Sequence, residues 1–155
     1  MMELTEGNLL EANVQALVNA VNTEGVMGKG IALQFKQTFP EMFKAYAREA
    51  KAGRLQVGRV QVHDRGASAS PRWILNFPTK ESWRRPSRLE WIRTGLDSLL
   101  EEVRHHGIES IAVPALGCGN GGLAWEAVLP LIQDAFLRAP TVRVLLYPPS
   151  GIPST

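Results

Sequence analysis

A single cysteine, Cys118, in a chain of 155 residues excludes an internal disulfide and a cysteine-rich metal centre. The histidines are also few. His63, His105 and His106 show no metal-ligand spacing, and no metal or other cofactor is expected. No apolar run approaches membrane-spanning length, and the amino terminus does not read as a signal peptide, so the chain is expected in the cytoplasm with no membrane partner. The net charge of only +2 gives no global field that would imply a polyanion partner. Internal repeats and low-complexity tracts are missing as well. What remains is an ordinary globular composition, 45% hydrophobic and 21% charged, long enough for one domain with one sizeable core.

The apolar pattern predicts strands at residues 2–5, 14–21, 58–63, 72–77, 110–113 and 141–147. It predicts helices at 30–39, 40–52, 87–105 and 123–137. Pro40 suits a helix start and Gly53 a helix end; Ser87, three residues before Glu90, suits an N-cap, and Pro78 is expected to stop its strand. Strands interleaved with helices predict an α/β fold: a three-layer α/β/α sandwich around a mixed, mainly parallel sheet. The adjacent strands 58–63 and 72–77 have no helix between them, so this pair is expected to be antiparallel. The domain is expected to span 1–147. The proline-, glycine- and serine-rich residues 148–155 read as a linker.

Two glycine-rich turns stand between strand and helix patterns. One is Gly25-Val26-Met27-Gly28-Lys29-Gly30-Ile31-Ala32 and the other Pro114-Ala115-Leu116-Gly117-Cys118-Gly119-Asn120-Gly121-Gly122-Leu123. Bare backbone N–H groups at the positive end of a helix dipole bind phosphate. Neither turn is a P-loop, since Gly28-Lys29 is followed by Gly30 rather than Ser or Thr. The spacing of Gly117, Gly119 and Gly122 matches a dinucleotide fingerprint, but it falls too late in the chain for the rest of a dehydrogenase half to follow. Two such turns suggest a clamp on a diphosphate-bridged ligand at the C-terminal edge of the sheet, where Pro78-Thr79-Lys80 also falls.

Asn22, at a strand exit, could hold a ribose hydroxyl or close an Asx turn, and Asn19 reads as structural. Lys80 is either a solvated charge or, under partial burial, a nucleophile or a cation stabilising a leaving group. Residues 80–93 carry five cations, Lys80, Arg84, Arg85, Arg88 and Arg93, against Glu81 and Glu90. This local excess of +3 exceeds the charge of the whole chain, and Trp83 lies within it. Arginine can contact phosphate and tryptophan can stack on an unpaired base, whereas the plainer reading packs Trp83 on the core and leaves the arginines solvated. Cys118 reads as a small filler.

Gly7-Asn8-Leu9-Leu10, Ala16-Leu17-Val18-Asn19-Ala20-Val21-Asn22, Gly28-Lys29-Gly30-Ile31-Ala32 and Pro114-Ala115-Leu116-Gly117-Cys118-Gly119, in this order, resemble the macrodomain family. The resemblance covers nearly the whole chain, and that family binds ADP-ribose. Segments 21–36 and 76–84 are most similar to the family's branch of antitoxins that remove ADP-ribose from thymidine bases in DNA. The resemblance implies an ADP-ribosyl glycohydrolase acting on single-stranded ADP-ribosylated DNA, with a cognate ADP-ribosyltransferase toxin as a partner. It implies a catalytic Lys80 and a DNA-binding segment at Trp83, Arg84, Arg85 and Arg88.

It further implies that Asn8 faces adenine, that Leu9 offers its N–H, and that Asn22 holds the distal ribose. Gly28, Lys29, Gly30, Ile31 and Ala32 would close over that ribose, with Thr79 beside them. Leu116, Gly117, Cys118, Gly119, Asn120, Gly121, Gly122 and Leu123 would wrap the diphosphate. Two departures stand out. Asn8 replaces an aspartate common in the family, which keeps an acceptor oxygen and loses its charge. Related hydrolases also carry an acid in the late turn, where this chain has Gly121 beside Asn120, so no general acid is assigned. A non-catalytic ADP-ribose module and a hydrolase of modified acidic side chains in proteins are the alternatives.

Overall fold

The computed structural model describes residues 1–149; of the linker-like stretch, 150–155 lie outside the described residues. Among the described residues six strands form one sheet in the order β1-β6-β5-β2-β4-β3. These are β1 (Met2–Leu4), β2 (Ala16–Asn22), β3 (Gln61–Asp64), β4 (Trp73–Lys80), β5 (Ser110–Val113) and β6 (Arg143–Leu146). Every neighbouring pair is parallel except β3 with β4, the pair the sequence left without a crossover helix.

Helices α1 (Gly30–Thr38) and α2 (Pro40–Lys51) cover one face of the sheet, and α3 (Leu89–His105) and α4 (Trp125–Phe136) cover the other. Alternate residues of the central strands supply the two cores. Leu17 and Val21 of β2 join Phe35, Met42 and Tyr46, whereas Ala16 and Val18 join Ile92, Leu96, Val128 and Ile132. The α/β sandwich covers both faces of a sheet whose inner strands β2 and β4 are almost wholly buried.

Two expectations are corrected. Pro78 does not stop β4, which runs on to Lys80. Val21 pairs with Pro78 and Asn22 with Lys80, a register shift, and a bulge is where a ladder tolerates a missing N–H. Ser87 does not cap α3. Arg88 occupies the cap position without a side-chain bond, and Ser87 is instead buried with its N–H donating to Gly121 O at 2.9 Å. Boundaries moved by a few residues elsewhere. A turn in which Arg59 N–H donates to Gln56 O delays β3, and α4 begins at Trp125 because Leu123 N–H closes the preceding loop onto Gly117 O.

The connection after β2 passes to the α1/α2 face, whereas those after β4 and β5 pass to the α3/α4 face. β2 lies between β5 and β4, so the chain diverges on either side of its C-terminal end. A sheet must open a crevice at such a point.

Candidate functional site

A cavity of about 800 Å³ occupies that crevice. Its walls come from the end of β2 and the turn after it (Asn22, Val26, Gly28, Lys29), the start of α1 (Gly30, Ile31, Ala32) and the end of β4 (Thr79, Lys80). Trp83, Arg84 and the loop after β5 (Pro114, Ala115, Gly117, Cys118, Gly119, Asn120, Gly121) complete them. The two glycine-rich turns, some ninety residues apart in the chain, therefore face one space.

Backbone accounting locates the available donors. In the late loop, Leu116, Cys118, Gly122 and Leu123 use their N–H groups internally, on Pro114 O, Ala115 O, Cys118 O and Gly117 O. The N–H groups of Gly119, Asn120 and Gly121 have no acceptor among the described residues, and all three residues line the cavity. Of the eight loop residues expected to wrap a diphosphate, Leu116, Gly122 and Leu123 lie outside the lining. In the early turn, Leu33 is the first helical N–H to bond back, to Lys29 O. The N–H groups of Gly30, Ile31 and Ala32 have no acceptor among the described residues and lie at the positive end of α1.

Glycine is required in the late loop for two reasons. Gly117 has φ +74°, a conformation that side chains disfavour. A Cβ on Gly121 would lie 2.3 Å from Gly117 O and 2.5 Å from Ser87 Oγ, so this position has no room for an acid.

Among the described residues three cations, Lys29, Lys80 and Arg84, line the cavity and no carboxylate does; Glu81 and Glu126 lie outside the lining. Lys80 is buried, and among the described residues it forms no ion pair. Its Nζ donates to Trp83 O at 3.4 Å. Burial, then the nearby charge of Lys29, holds its pKa below the usual lysine value. Burial followed by Glu126 pushes the Cys118 thiol up to about 11, which suits a small packing residue rather than a nucleophile.

Asn22 closes an Asx turn. Its Oδ1 accepts from Glu24 N–H at 3.0 Å, Val26 N–H at 3.3 Å and the Tyr46 hydroxyl at 3.0 Å, while Nδ2 donates to Val26 O at 2.9 Å. One amide hydrogen of Nδ2 remains for another partner. Tyr46 is a contributor that the sequence pattern did not single out. It reads as one more apolar position of an amphipathic α2, yet its single hydroxyl hydrogen is shared between Asn22 Oδ1 and the nearer Asn22 O at 2.6 Å.

Asn19 is fully buried; its Nδ2 donates to Asn76 Oδ1 at 3.2 Å, in keeping with a structural role. Asn8 and Leu9 do not line the cavity. Asn8 Oδ1 instead accepts from Leu10 N–H at 3.0 Å and caps a single 3₁₀ turn, Leu9–Glu11.

Trp83 is 44% exposed, which removes the reading that packs it on the core. Lys29 Nζ lies 6.0 Å from its ring centroid and the Arg84 guanidinium 4.8 Å. Neither Arg85 nor Arg88 lines the cavity, and Arg88 turns to Glu90 at 3.6 Å and to the Trp91 ring at 5.2 Å. Among the described residues no group of histidine, cysteine and acidic side chains could hold a metal, and no helix is long and apolar enough to cross a membrane.

Comparison with known proteins places this geometry. The Macro domain family matches residues 18–132. A DNA ADP-ribosyl glycohydrolase of Thermus aquaticus is 51% identical over 149 residues, 96% of this chain and 41% of that protein. A DNA ADP-ribosyl transferase-DNA ADP-ribosyl glycohydrolase fusion protein of Thermosipho africanus is 35% identical, over 96% of this chain and 42% of that one. The solved macrodomain of Mycobacterium tuberculosis DarG superposes with a TM-score of 0.95 at 50% identity, covering 97% of this chain and 99% of that one. The chain spans less than half the length of the curated relatives it matches in this group.

Proposed function

The chain belongs to the macrodomain family, and on that footing we propose that it is an ADP-ribosyl glycohydrolase domain that frees ADP-ribose from thymidine bases in single-stranded DNA. The observation that carries this reading is the buried Lys80 amine without a carboxylate partner, set between two N–H-rich turns. The names of the half-identical relatives supply the DNA linkage.

In this reading the free N–H groups of Gly119, Asn120 and Gly121 hold one phosphate. Those of Gly30, Ile31 and Ala32 close on the other phosphate and the distal ribose, aided by the charge of Lys29 and by Thr79 and Asn22. Asn8 and Leu9 would meet adenine beyond the described cavity. Trp83 stacks on an unpaired base, and Arg84 meets strand phosphate.

Lys80 acts as the nucleophile. Its depressed pKa leaves more of the amine neutral than in a solvated lysine. The neutral amine adds to the anomeric carbon as the bond to the base breaks, and the ammonium so formed gives one proton to the departing base. The ring C–O bond then breaks, the ring oxygen leaving as a hydroxyl with the second N–H proton, to give an imine between Lys80 and the anomeric carbon. Water adds to that carbon, releasing ADP-ribose and restoring the amine. The absent carboxylate fits a route in which the lysine itself forms the new bond.

The enzyme would work in the cytoplasm as an antitoxin-like partner of the ADP-ribosyltransferase that installs the mark, a pairing that the Thermosipho africanus fusion carries in one chain. The test is an oligonucleotide bearing ADP-ribosylated thymidine. The wild-type protein is expected to release ADP-ribose, and Lys80→Ala to slow release by about a thousandfold or more. An intact adduct with wild type, or equal cleavage by Lys80→Ala, would overturn the reading. The lack of a carboxylate in the cavity favours one second reading, a binding module without turnover. ADP-ribose binding with no cleavage of any conjugate would select it.

A further inference from the structure

Ser87 has no part in the chemistry above, yet it sits beneath the loop proposed to grip the diphosphate. The residue is 5% exposed and does not line the cavity. Its N–H donates to Gly121 O at 2.9 Å. Its Oγ would lie 2.5 Å from a Cβ on Gly121, and its Cβ 3.3 Å from one on Gly117, so the side chain packs against both glycines. The hydroxyl has no hydrogen-bond partner among the described residues. A buried hydroxyl without a partner costs free energy, and an alanine there would remove that cost at little loss of packing.

We propose that Ser87 is a positioning residue for diphosphate binding, its hydroxyl bonding to a peptide group of the late glycine loop when that loop closes on phosphate. This rests on the reading of the cavity as an ADP-ribose site. Gly117 O is an acceptor within reach, since it lies 2.3 Å and Ser87 Oγ 2.5 Å from the point a Gly121 Cβ would occupy, which puts the two oxygens less than about 5 Å apart. A modest turn of the 117–121 peptides brings the hydroxyl onto that carbonyl. An anion drawing in the N–H groups of Gly119, Asn120 and Gly121 supplies the pull. A hydrogen bond made in the gripping state and missing in the other adds to ligand affinity by the difference between the two. The same residue follows Trp83 and Arg84 by a few positions, so it also ties the exposed 81–86 segment to the glycine loop.

The test compares wild type with Ser87→Ala in three measurements: thermal unfolding, calorimetric binding of ADP-ribose, and binding of adenosine, which lacks phosphates. Ser87→Ala is expected to melt at the same or a higher temperature, to bind ADP-ribose about three- to tenfold more weakly, and to bind adenosine as wild type does. Equal ADP-ribose affinity in the two proteins would overturn the proposal, and so would a lower melting temperature for Ser87→Ala or an equal loss of adenosine binding. Those results leave the cavity reading intact, whereas a wild-type protein that fails to bind ADP-ribose removes both. Should Ser87→Ala not fold, the hydroxyl supports the fold itself and the proposal is equally overturned.

Discussion

Lys80 and Trp83 form a hook at the end of β4: the Lys80 amine reaches forward to the Trp83 carbonyl at 3.4 Å. The tryptophan ring stays exposed at the cavity rim, between Lys29 and Arg84. The proposed reacting group and the proposed base-stacking ring are thus set by one short stretch of backbone, and moving either moves the other.

The pH dependence of cleavage distinguishes the two roles open to Lys80. Burial and the charge of Lys29 lower its pKa. If the neutral amine attacks, kcat rises with pH through an apparent pKa below the ordinary lysine value. Lys29→Met removes one of the two causes, so the profile is expected to move to higher pH, with a slower rate at neutrality and recovery in alkali. A lysine acting as a cation would give the opposite slope. Borohydride added during turnover is expected to trap wild type, and not Lys80→Ala, as a covalent adduct seen by mass spectrometry.

Two glycines of the late loop are expected to differ sharply. A Cβ on Gly119 meets nothing within 4 Å, whereas one on Gly121 meets Gly117 O at 2.3 Å. Gly119→Ala is therefore expected to keep stability within about 0.5 kcal/mol of wild type. Gly121→Ala is expected to lose about 1–3 kcal/mol and at least tenfold in ADP-ribose affinity. Denaturant unfolding and calorimetry check both.

The arginines after β4 are not equivalent. Trp83→Ala is expected to weaken binding of single-stranded DNA by about 1–3 kcal/mol. Arg84→Ala is expected to weaken it with a shallower salt dependence. Arg88 is already engaged by Glu90 and Trp91, so Arg88→Ala is expected to have the smaller effect. Fluorescence anisotropy titrations at several salt concentrations read all three.

Asn22 tests whether a residue can organise the turn and touch ligand at once. Asn22→Asp keeps the acceptor oxygen for Glu24 and Val26, loses the donor to Val26 O, and brings a carboxylate to a cavity wall that has none. It is expected to reduce ADP-ribose affinity more than tenfold. Asn22→Ala is expected to lower stability by about 1–3 kcal/mol, seen as a melting temperature a few degrees lower.

Read along the chain alone, the elements were legible because local rules govern them. Val14 to Val21 announced an inner strand, Gly25 to Ala32 and Pro114 to Leu123 announced N–H-rich turns, and the missing helix between residues 63 and 72 announced the antiparallel pair. Composition excluded disulfides and cysteine-rich metal sites outright. The lysine at the end of β4 stood out through its place after a strand and through resemblance. Periodicity and turn chemistry act over a few residues, so a single sequence carries them.

Folding settled what depends on groups distant in sequence. The strand order put β2 between β5 and β4, with connections leaving to opposite faces, and so brought both turns to one cavity. Tyr46 reached Asn22 from α2, adding a bond from another element to an asparagine that closes its own turn. Ser87, which reads along the chain as a cap, became a buried peg under Gly121, and Trp83 was left at the rim rather than in the core. Burial, charge proximity and competition for each N–H are properties of the packed whole, and they assigned Lys80 its depressed pKa and Gly121 its lack of room.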